Sequence, residues 1–214
     1  MEKFTVQNID EAEAAEILKF KNLHFLNQDP IEMAVPGVKF QSDDVDLIIN
    51  AVRNGFAVKI TEAESSILVG FVLGIPTDYA CILEYFKNAA ANTDDISKSN
   101  ILNLIGFVEK KANIHERFSE KKKIHVRNLS VHSNYRGRKL GQRLLAAAIE
   151  EARRKKFDMI TANCTSVYSA KIAASLGMEH ISTVTYQEYH DFVGQEVFTP
   201  IEPHTEIRSF VLKL

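Results

Sequence analysis

The sequence predicts an α/β fold in one piece, and three observations carry that prediction. Apolar periodicity switches repeatedly between strand-like alternation and helical spacing, with no internal repeat, low-complexity tract or interdomain linker between the segments. The chain has 214 residues, which fits one domain over 1–214 with room for a sizeable core. Its composition, 45% hydrophobic and 25% charged, is that of a globular chain rather than a disordered one.

The elements follow in order. Phe4 to Ile9 alternates weakly and predicts a first strand. Asp10 with Glu13 three residues on forms a capping box, and Ala14, Ile17, Leu18, Lys21 and Phe25 continue a helix over about 11–27. Pro30 forces Asp29 out of helical geometry and ends it. After the turn at Pro36-Gly37, a second helix runs from Ser42 to Asn54, with Ser42 as N-cap, Asp43 and Asp44 in its first turn and Gly55 as its stop. Phe56 to Thr61 and Ile67 to Gly74 predict a hairpin closed by Pro76. Residues 79–100 show no clear period and read partly as loop. Ile101 to Phe118 is helical, with Leu104, Ile105, Val108, Ala112 and His115 near one face, and Ile124 to Val131 is a strand. Leu140, Leu144, Leu145, Ala148, Ile149 and Ala152 keep a helical apolar stripe, and Arg153 to Lys156 suits the negative end of its dipole. A strand over Met159 to Cys164, a helix over Ser169 to Leu176, and strands over Thr183 to Tyr189 and Glu206 to Leu214 complete the chain.

Composition excludes several classes. Lys and Arg number 26 against 28 Asp and Glu, a net charge of -2 that gives no global attraction to nucleic acid or to an anionic membrane. The longest apolar run, Ile67 to Ile75, is far short of the roughly 20 residues a membrane helix needs. The N-terminus is acidic and lacks an apolar stretch, so it reads as no signal peptide. Cys81 and Cys164 offer neither a disulfide framework nor metal-ligand spacing, and the histidines show no i, i+4 pairing. The expectation is a cytoplasmic monomer without a metal, a nucleic-acid partner or a membrane. Lys121 to Lys123 reads as a solvated face, and the sequons at Asn128 and Asn163 fall in predicted strands.

The strongest local signal is the basic glycine loop that opens the helix at Leu140. The first N–H groups of a helix lack intrahelical partners and converge, with the positive dipole end, on an anion. Gly137 and Gly141 allow close backbone approach, and Arg136, Arg138 and Lys139 add positive charge. A pyrophosphate suits such a loop, and an ordinary helix start is the equally weighted alternative. It is neither a Walker A loop nor a dinucleotide fingerprint.

The run from Asn128 to Gly177 resembles the core of the GCN5-related N-acetyltransferases (GNAT). Arg136-x-x-Lys139-x-Gly141 matches their Gln/Arg-x-x-Gly-x-Gly/Ala loop, with Lys139 at the usual middle glycine. Tyr168 to Met178 is similar to their second cofactor motif, with Ala173 at the position of a tyrosine found in many members. Phe25 to Ile31, Val131 to Arg138, Pro203-His204-Thr205 and the terminal Phe210 to Leu214 resemble one branch, the insect arylalkylamine N-acetyltransferase-like enzymes.

The resemblance implies a central mixed, mostly antiparallel sheet with helices on both faces. It also implies acetyl-CoA between two splayed parallel strands, Ile124 to Val131 and Met159 to Cys164. Leu129, Ser130 and Val131 would bond its pantetheine arm. Arg136, Gly137, Arg138, Lys139, Leu140, Gly141 and Gln142 would cradle its pyrophosphate, with Ser169 and Lys171 on the second motif. Lys139 is expected to hold a negative φ and still present its N–H. Asp29 stands where the branch has its glutamate base, with a loop cap as the alternative role. Ser166 and Ser169 are candidates to stabilise the departing thiolate, Ser169 being equally an N-cap. His204 is a candidate proton donor or a plain turn residue. The implied reaction is acetyl transfer from acetyl-CoA to a small primary amine. Arylalkylamines come first, with Phe25, Met33, Phe40 and Tyr186 as pocket candidates. Agmatine or polyamines come second, with Asp191, Glu196, Glu202 and Glu206 as the second anionic group. Acetylation of protein amines and a non-catalytic acyl-CoA binder are the remaining alternatives.

Overall fold

The computed structural model describes residues 3–26, 28–35 and 45–214. The strands are β1 (Phe4–Asn8), β2 (Phe56–Glu62), β3 (Leu68–Pro76), β4 (Lys123–Val131), β5 (Met159–Cys164), β6 (Glu179–Thr185) and β7 (Glu206–Lys213). They form one sheet in the order β1-β2-β3-β4-β5-β7-β6, antiparallel throughout except between β4 and β5. The helices are α1 (Ala14–His24), α2 (Pro30–Met33), α3 (Val45–Asn54), α4 (Ile82–Ala91), α5 (Ile96–Ala112), α6 (Ile114–Arg117), α7 (Leu140–Arg154), α8 (Val167–Ser175) and α9 (Tyr186–Val193). None of them is long and apolar enough to cross a membrane.

Both sheet faces are covered, as a mixed sheet with a buried parallel pair requires. On one face the α7 stripe, Leu144, Leu145, Ala148 and Ile149, packs with Val58, Ile60, Val72, Ile124 and Ile160, and Ala170 and Ala173 of α8 join it. On the other, Ile17 and Phe20 of α1 and Ile48 and Ala51 of α3 cover Ala57, Phe71 and Leu73. Beside them Leu104 and Val108 of α5 and Ile31 of α2 pack with Tyr186, Val184 and Ile207.

The register at the sheet centre positions everything that follows. β4 and β5 pair from Lys123↔Met159 to Val126↔Ala162 and no further. Beyond that point β5 stays on β7, through Asn163↔Ser209 and Cys164↔Arg208, while β4 stays on β3 as far as Gly70↔Val131. The two parallel strands therefore part. At the same place β4 carries one extra residue: Gly74 faces Val126 and Leu73 faces Asn128, so Arg127 is the insertion of a bulge. Val126 and Leu129 both pack with the α7 core despite being three apart. Arg127 and Asn128 consequently share the opposite face.

Local differences from the sequence prediction have identifiable causes. The capping box at Asp10 and Glu13 is present, but it opens a 3-10 turn, Glu11–Glu13, before α1. The period-poor stretch 79–100 holds α4 and the start of α5; α4 begins at Cys81 without a side-chain cap, whereas Asp95 caps α5 through the N–H groups of Ser97 and Lys98. The helix predicted to continue to Phe118 breaks at Asn113, which adopts left-handed geometry. The strand predicted to reach Tyr189 ends at Thr185, whose hydroxyl accepts from the Glu188 N–H and starts α9, and Gly194 stops it. The predicted cap Ser42, with Asp43, Asp44 and the pocket candidate Phe40, lies outside the described residues.

Leu144 is fully buried at the α7–sheet contact. Leu144→Ala should lower the unfolding free energy by about 3 kcal/mol, read as a fall in denaturant midpoint without a change in slope.

Candidate active site

The parting of β4 and β5 leaves main-chain groups without a strand partner. The N–H of His132 bonds the Val69 carbonyl on β3. Main-chain direction alternates along a strand, so Ser130 and Asn128 also face β3 while Leu129 and Val131 face the gap. The Ser130 hydroxyl is engaged elsewhere, donating to the His24 carbonyl at 3.0 Å and tying β4 to α1. Val131 offers its carbonyl to Arg136 Nε at 3.1 Å, and the Arg136 guanidinium also donates to Gln28 Oε1 at 2.8 Å.

The basic loop continues from there. Gly137 has φ +77, and its added Cβ would meet nothing within 4 Å, so its surroundings are open. Lys139 has φ +59 rather than the negative value expected for a helix start. This left-handed geometry is what a glycine supplies freely, and a lysine there costs on the order of 1 kcal/mol. The substitution at the family's glycine position therefore leaves the loop shape intact at the expense of strain. Arg138 lies over the Tyr135 ring at 5.3 Å. Gly141 brings α7 close to α8, where a Cβ would stand 3.0 Å from Ile172 Cδ1, and Gln142 reaches Ser175. Leu140 is buried under the loop and Lys171 is exposed on α8.

On the opposite face the other predicted residues gather around the end of β5. Asp29 is extended, as the following proline requires, and its Oδ1 accepts from the Ile31 N–H at 3.1 Å, capping α2. Burial raises its pKa from the ordinary aspartate value, while the bonds from Ile31 and from the Thr165 hydroxyl pull the other way. Ser166, not Ser169, is the N-cap of α8: its Oγ accepts from the Ser169 N–H at 3.0 Å, and the two hydroxyls lie 2.9 Å apart. Starting two residues earlier than predicted puts both serines in the first turn. His204 Nδ1 accepts from the Val167 N–H at 3.3 Å, which assigns its proton to Nε2, and burial lowers its pKa. Residues 164–169 thus touch Asp29 at one end and His204 at the other.

The charge of Asp29 also reaches Cys164 and Tyr186. Burial, partly opposed by a hydrogen bond to Ser169, pushes the Cys164 thiol up to about 12, and Asp29 adds to it. Burial and then Asp29 raise the Tyr186 phenol, whose hydroxyl is buried without a hydrogen-bond partner. Of the other pocket candidates, Phe25 is half-buried and Met33 is exposed. Among the C-terminal acids, Glu206 is paired with Arg208 and Asp191 accepts from Gln187.

Residues 31–177 match the Acetyltransferase (GNAT) family. The chain belongs to the GNAT family of acetyltransferases. It is an acyltransferase by that membership, in a family that uses acetyl-CoA. The GNAT chain is similar to the crystal structure of a mosquito arylalkylamine N-acetyltransferase like 5b, at 26% identity over 99% of this chain and 100% of that one, with a TM-score of 0.89. It is as similar to an agmatine N-acetyltransferase, at 27% identity over 100% of both chains and a TM-score of 0.89. A Drosophila melanogaster polyamine N-acetyltransferase matches at 28% identity, 99% and 100% coverage and a TM-score of 0.86.

The GNAT site also contains groups that the motifs did not mark. Thr161 and Asn163 alternate along β5 onto the Asp29 face, and Thr165, just past the end of the strand, bonds Asp29. Thr161 lies 2.5 Å from the Tyr79 hydroxyl and 2.9 Å from His125 Nδ1, and burial pushes His125 down to about 3, so it is neutral. Asn163 donates to Glu109 Oε1 at 2.7 Å and accepts from Ser209 at 2.8 Å. Glu109 is 4% exposed, its Oε2 has no hydrogen-bond partner, and burial raises its pKa to about 7. One sequence signal existed: Glu109 lies four residues after Ile105 and three before Ala112, on the apolar side of its helix. Among the described residues no group of histidines, cysteines and acids is arranged to hold a metal.

Two outcomes follow. Because the folded pKa of Glu109 exceeds its unfolded value of 4.5, the fold holds the extra proton and loses stability as pH rises from about 4.5 to about 7. Glu109→Gln should remove that slope and gain up to about 3 kcal/mol at pH 8, read by urea unfolding across pH. Lys139→Gly should stabilise by about 0.5–1 kcal/mol through relief of the left-handed strain, read as a rise in Tm.

Proposed function

We propose that this chain transfers the acetyl group of acetyl-CoA to the primary amine of a small arylalkylamine, of the dopamine, tyramine or tryptamine type. The observation that carries the reading is Asp29. Its half-buried carboxyl sits at the end of the parted strands, beside Tyr186 and Ile31, with the serines of the α8 start close in sequence to Thr165 and His204 set against Val167.

The residues divide the work. The main chain of Leu129 and Val131 lies along the gap and suits the amides of a pantetheine arm, and the open turn at Gly137 with the first N–H groups of α7 suits a pyrophosphate. Arg136 braces that turn against Val131 and Gln28. At the reacting centre, Asp29 takes a proton from the substrate ammonium, and the neutral nitrogen forms its bond to the thioester carbonyl carbon in a ternary complex. The carbon–sulfur bond then breaks, and the second proton lost by the nitrogen passes to the departing thiolate through the hydroxyl of Ser166 or Ser169. Burial brings Asp29 nearer to the range in which a carboxylate is an effective base at neutral pH. His204, neutral with its proton on Nε2, is placed to donate at the rim of the same site. The role of base suits Asp29 without conflicting with its cap, since Ile31 occupies only one carboxylate oxygen.

A second reading, an agmatine or polyamine acceptor, is favoured by similarity: the agmatine and polyamine enzymes match this chain as well as the arylalkylamine one does. Against it, Glu206, one of the C-terminal acids offered for a second cation, is already paired with Arg208. That contrast favours an acceptor with a single cation. The protein is expected to act in the cytoplasm as a monomer.

A thiol-release assay with tyramine, dopamine, tryptamine, agmatine, spermidine and a peptide tests the reading. Turnover should concentrate on the aromatic amines, and preference for agmatine or spermidine would overturn it. Asp29→Asn should lower kcat/KM for the aromatic amines by about 100-fold or more at neutral pH, with acetyl-CoA affinity by calorimetry unchanged. Since the base works deprotonated, kcat/KM should rise with pH through a limb above the ordinary aspartate value of about 3.9. Asp29→Asn should lack that limb.

A further inference from the structure

We propose that Arg127 selects the acceptor by charge, its guanidinium excluding amines with a second cation and admitting a ring that can stack on it. The inference deepens the acceptor reading given above and rests on it. Arg127 follows His125 by two residues on the face that carries Asp29, Thr165, Asn163 and Thr161, and the bulge in which it is the inserted residue brings Asn128 onto that face beside it. Strict alternation would turn Asn128 to the α7 side with Ile124 and Val126, whereas the bulge sets Arg127 and Asn128 side by side on this one.

The guanidinium is half-buried and takes part in none of the hydrogen bonds or ion pairs among the described residues. Its positive charge nevertheless acts on Glu109, His125 and Tyr79, so it lies among them. Those neighbours do not cancel it. His125 and Tyr79 are neutral, and Glu109 is held by burial at a pKa of about 7, so that much of it is protonated at neutral pH. Glu109 Oε2 and Asn128 Oδ1 are both buried without hydrogen-bond partners, so this side of the strand fork is short of satisfied polar contacts. Apart from the Asp29 carboxylate, which the reacting ammonium itself engages, the charge around Arg127 is therefore net positive at neutral pH.

Distance makes that charge relevant to the acceptor. Asn163, which bonds Glu109 near the end of β5, and Thr165, which bonds Asp29 just past that end, are two residues apart, a span of at most about 7 Å. An amine bound at Asp29 has the remainder of its chain within reach of Arg127. A second ammonium or guanidinium there meets a like charge in a partly desolvated site, while an aromatic ring gains a cation–π contact. The same residue thus works against one class of acceptor and for the other.

The test compares two amines that differ only in the second cation, butylamine and putrescine, with tyramine as the reference acceptor. The wild type should favour butylamine over putrescine in kcat/KM by about tenfold or more. Arg127→Gln should shrink that ratio several-fold, Arg127→Lys should keep it, and Glu109→Gln, which leaves Arg127 unopposed, should widen it at pH 8. A wild type that prefers putrescine overturns the proposal. So does an Arg127→Gln enzyme that acetylates tyramine and keeps the wild-type ratio. If Arg127→Gln does not fold, an unchanged ratio in Glu109→Gln overturns it instead. If the wild type binds acetyl-CoA but releases no thiol with any of the three amines, the acceptor reading fails and this inference falls with it.

Discussion

The site depends on a pairing that stops. Parallel strands normally satisfy each other's main chain along their whole length, yet β4 and β5 share a ladder only from Lys123↔Met159 to Val126↔Ala162. Each then keeps its other neighbour, β3 or β7, so neither collapses into the gap. Unpaired main-chain groups in a protein interior are costly, and a fold that maintains them against that cost has a row of donors and acceptors fixed for something else to bind. The bulge at Arg127 belongs to the same break, because it changes which β4 side chains face the acceptor side just where the strands separate.

The two faces of the break have different chemistry for reasons visible in their packing. On the α7 side the walls are Val126, Leu129, Val131 and the α7 stripe, closed by a loop whose turns need positive φ at Gly137 and Lys139. On the other side Thr161 and Asn163 of β5 are polar, and the partners brought to them and to Thr165, namely Tyr79, His125, Glu109 and Asp29, are titratable groups whose charged forms burial disfavours. Burial acts in one direction on all of them: it raises the carboxyls and the phenol and lowers the imidazole. Arg127 is the exception, a guanidinium and so a permanent cation.

Much of the architecture was legible because its signals are local. The Asp10–Glu13 box, the Pro30 break, the α7 stripe and the strand pair around the glycine loop all rest on spacing or on a single residue's geometry, and the structure has each of them. What escaped was set by tertiary context. α4 starts at Cys81 without a capping side chain, and the strand expected over Thr183 to Tyr189 is turned into α9 from Tyr186 on by the Thr185 cap. The motifs led to Asp29, Ser166, Ser169 and His204, which meet around residues 164–169. They did not lead to Arg127 or Glu109. Arg127 stands beside Asn128 on one face through a one-residue insertion that no periodicity reveals, and Glu109 acquires its position from Asn163 on a strand 54 residues away.

The most direct measurement is amide hydrogen exchange, residue by residue, with and without acetyl-CoA. If the parted strands hold the cofactor, the N–H groups of Leu129 and Val131 and those at the start of α7 should gain protection on its addition, while Ser130, already turned to β3, should change little. Protection that leaves Leu129, Val131 and Leu140 to Gln142 unchanged and appears elsewhere on the chain would contradict the account.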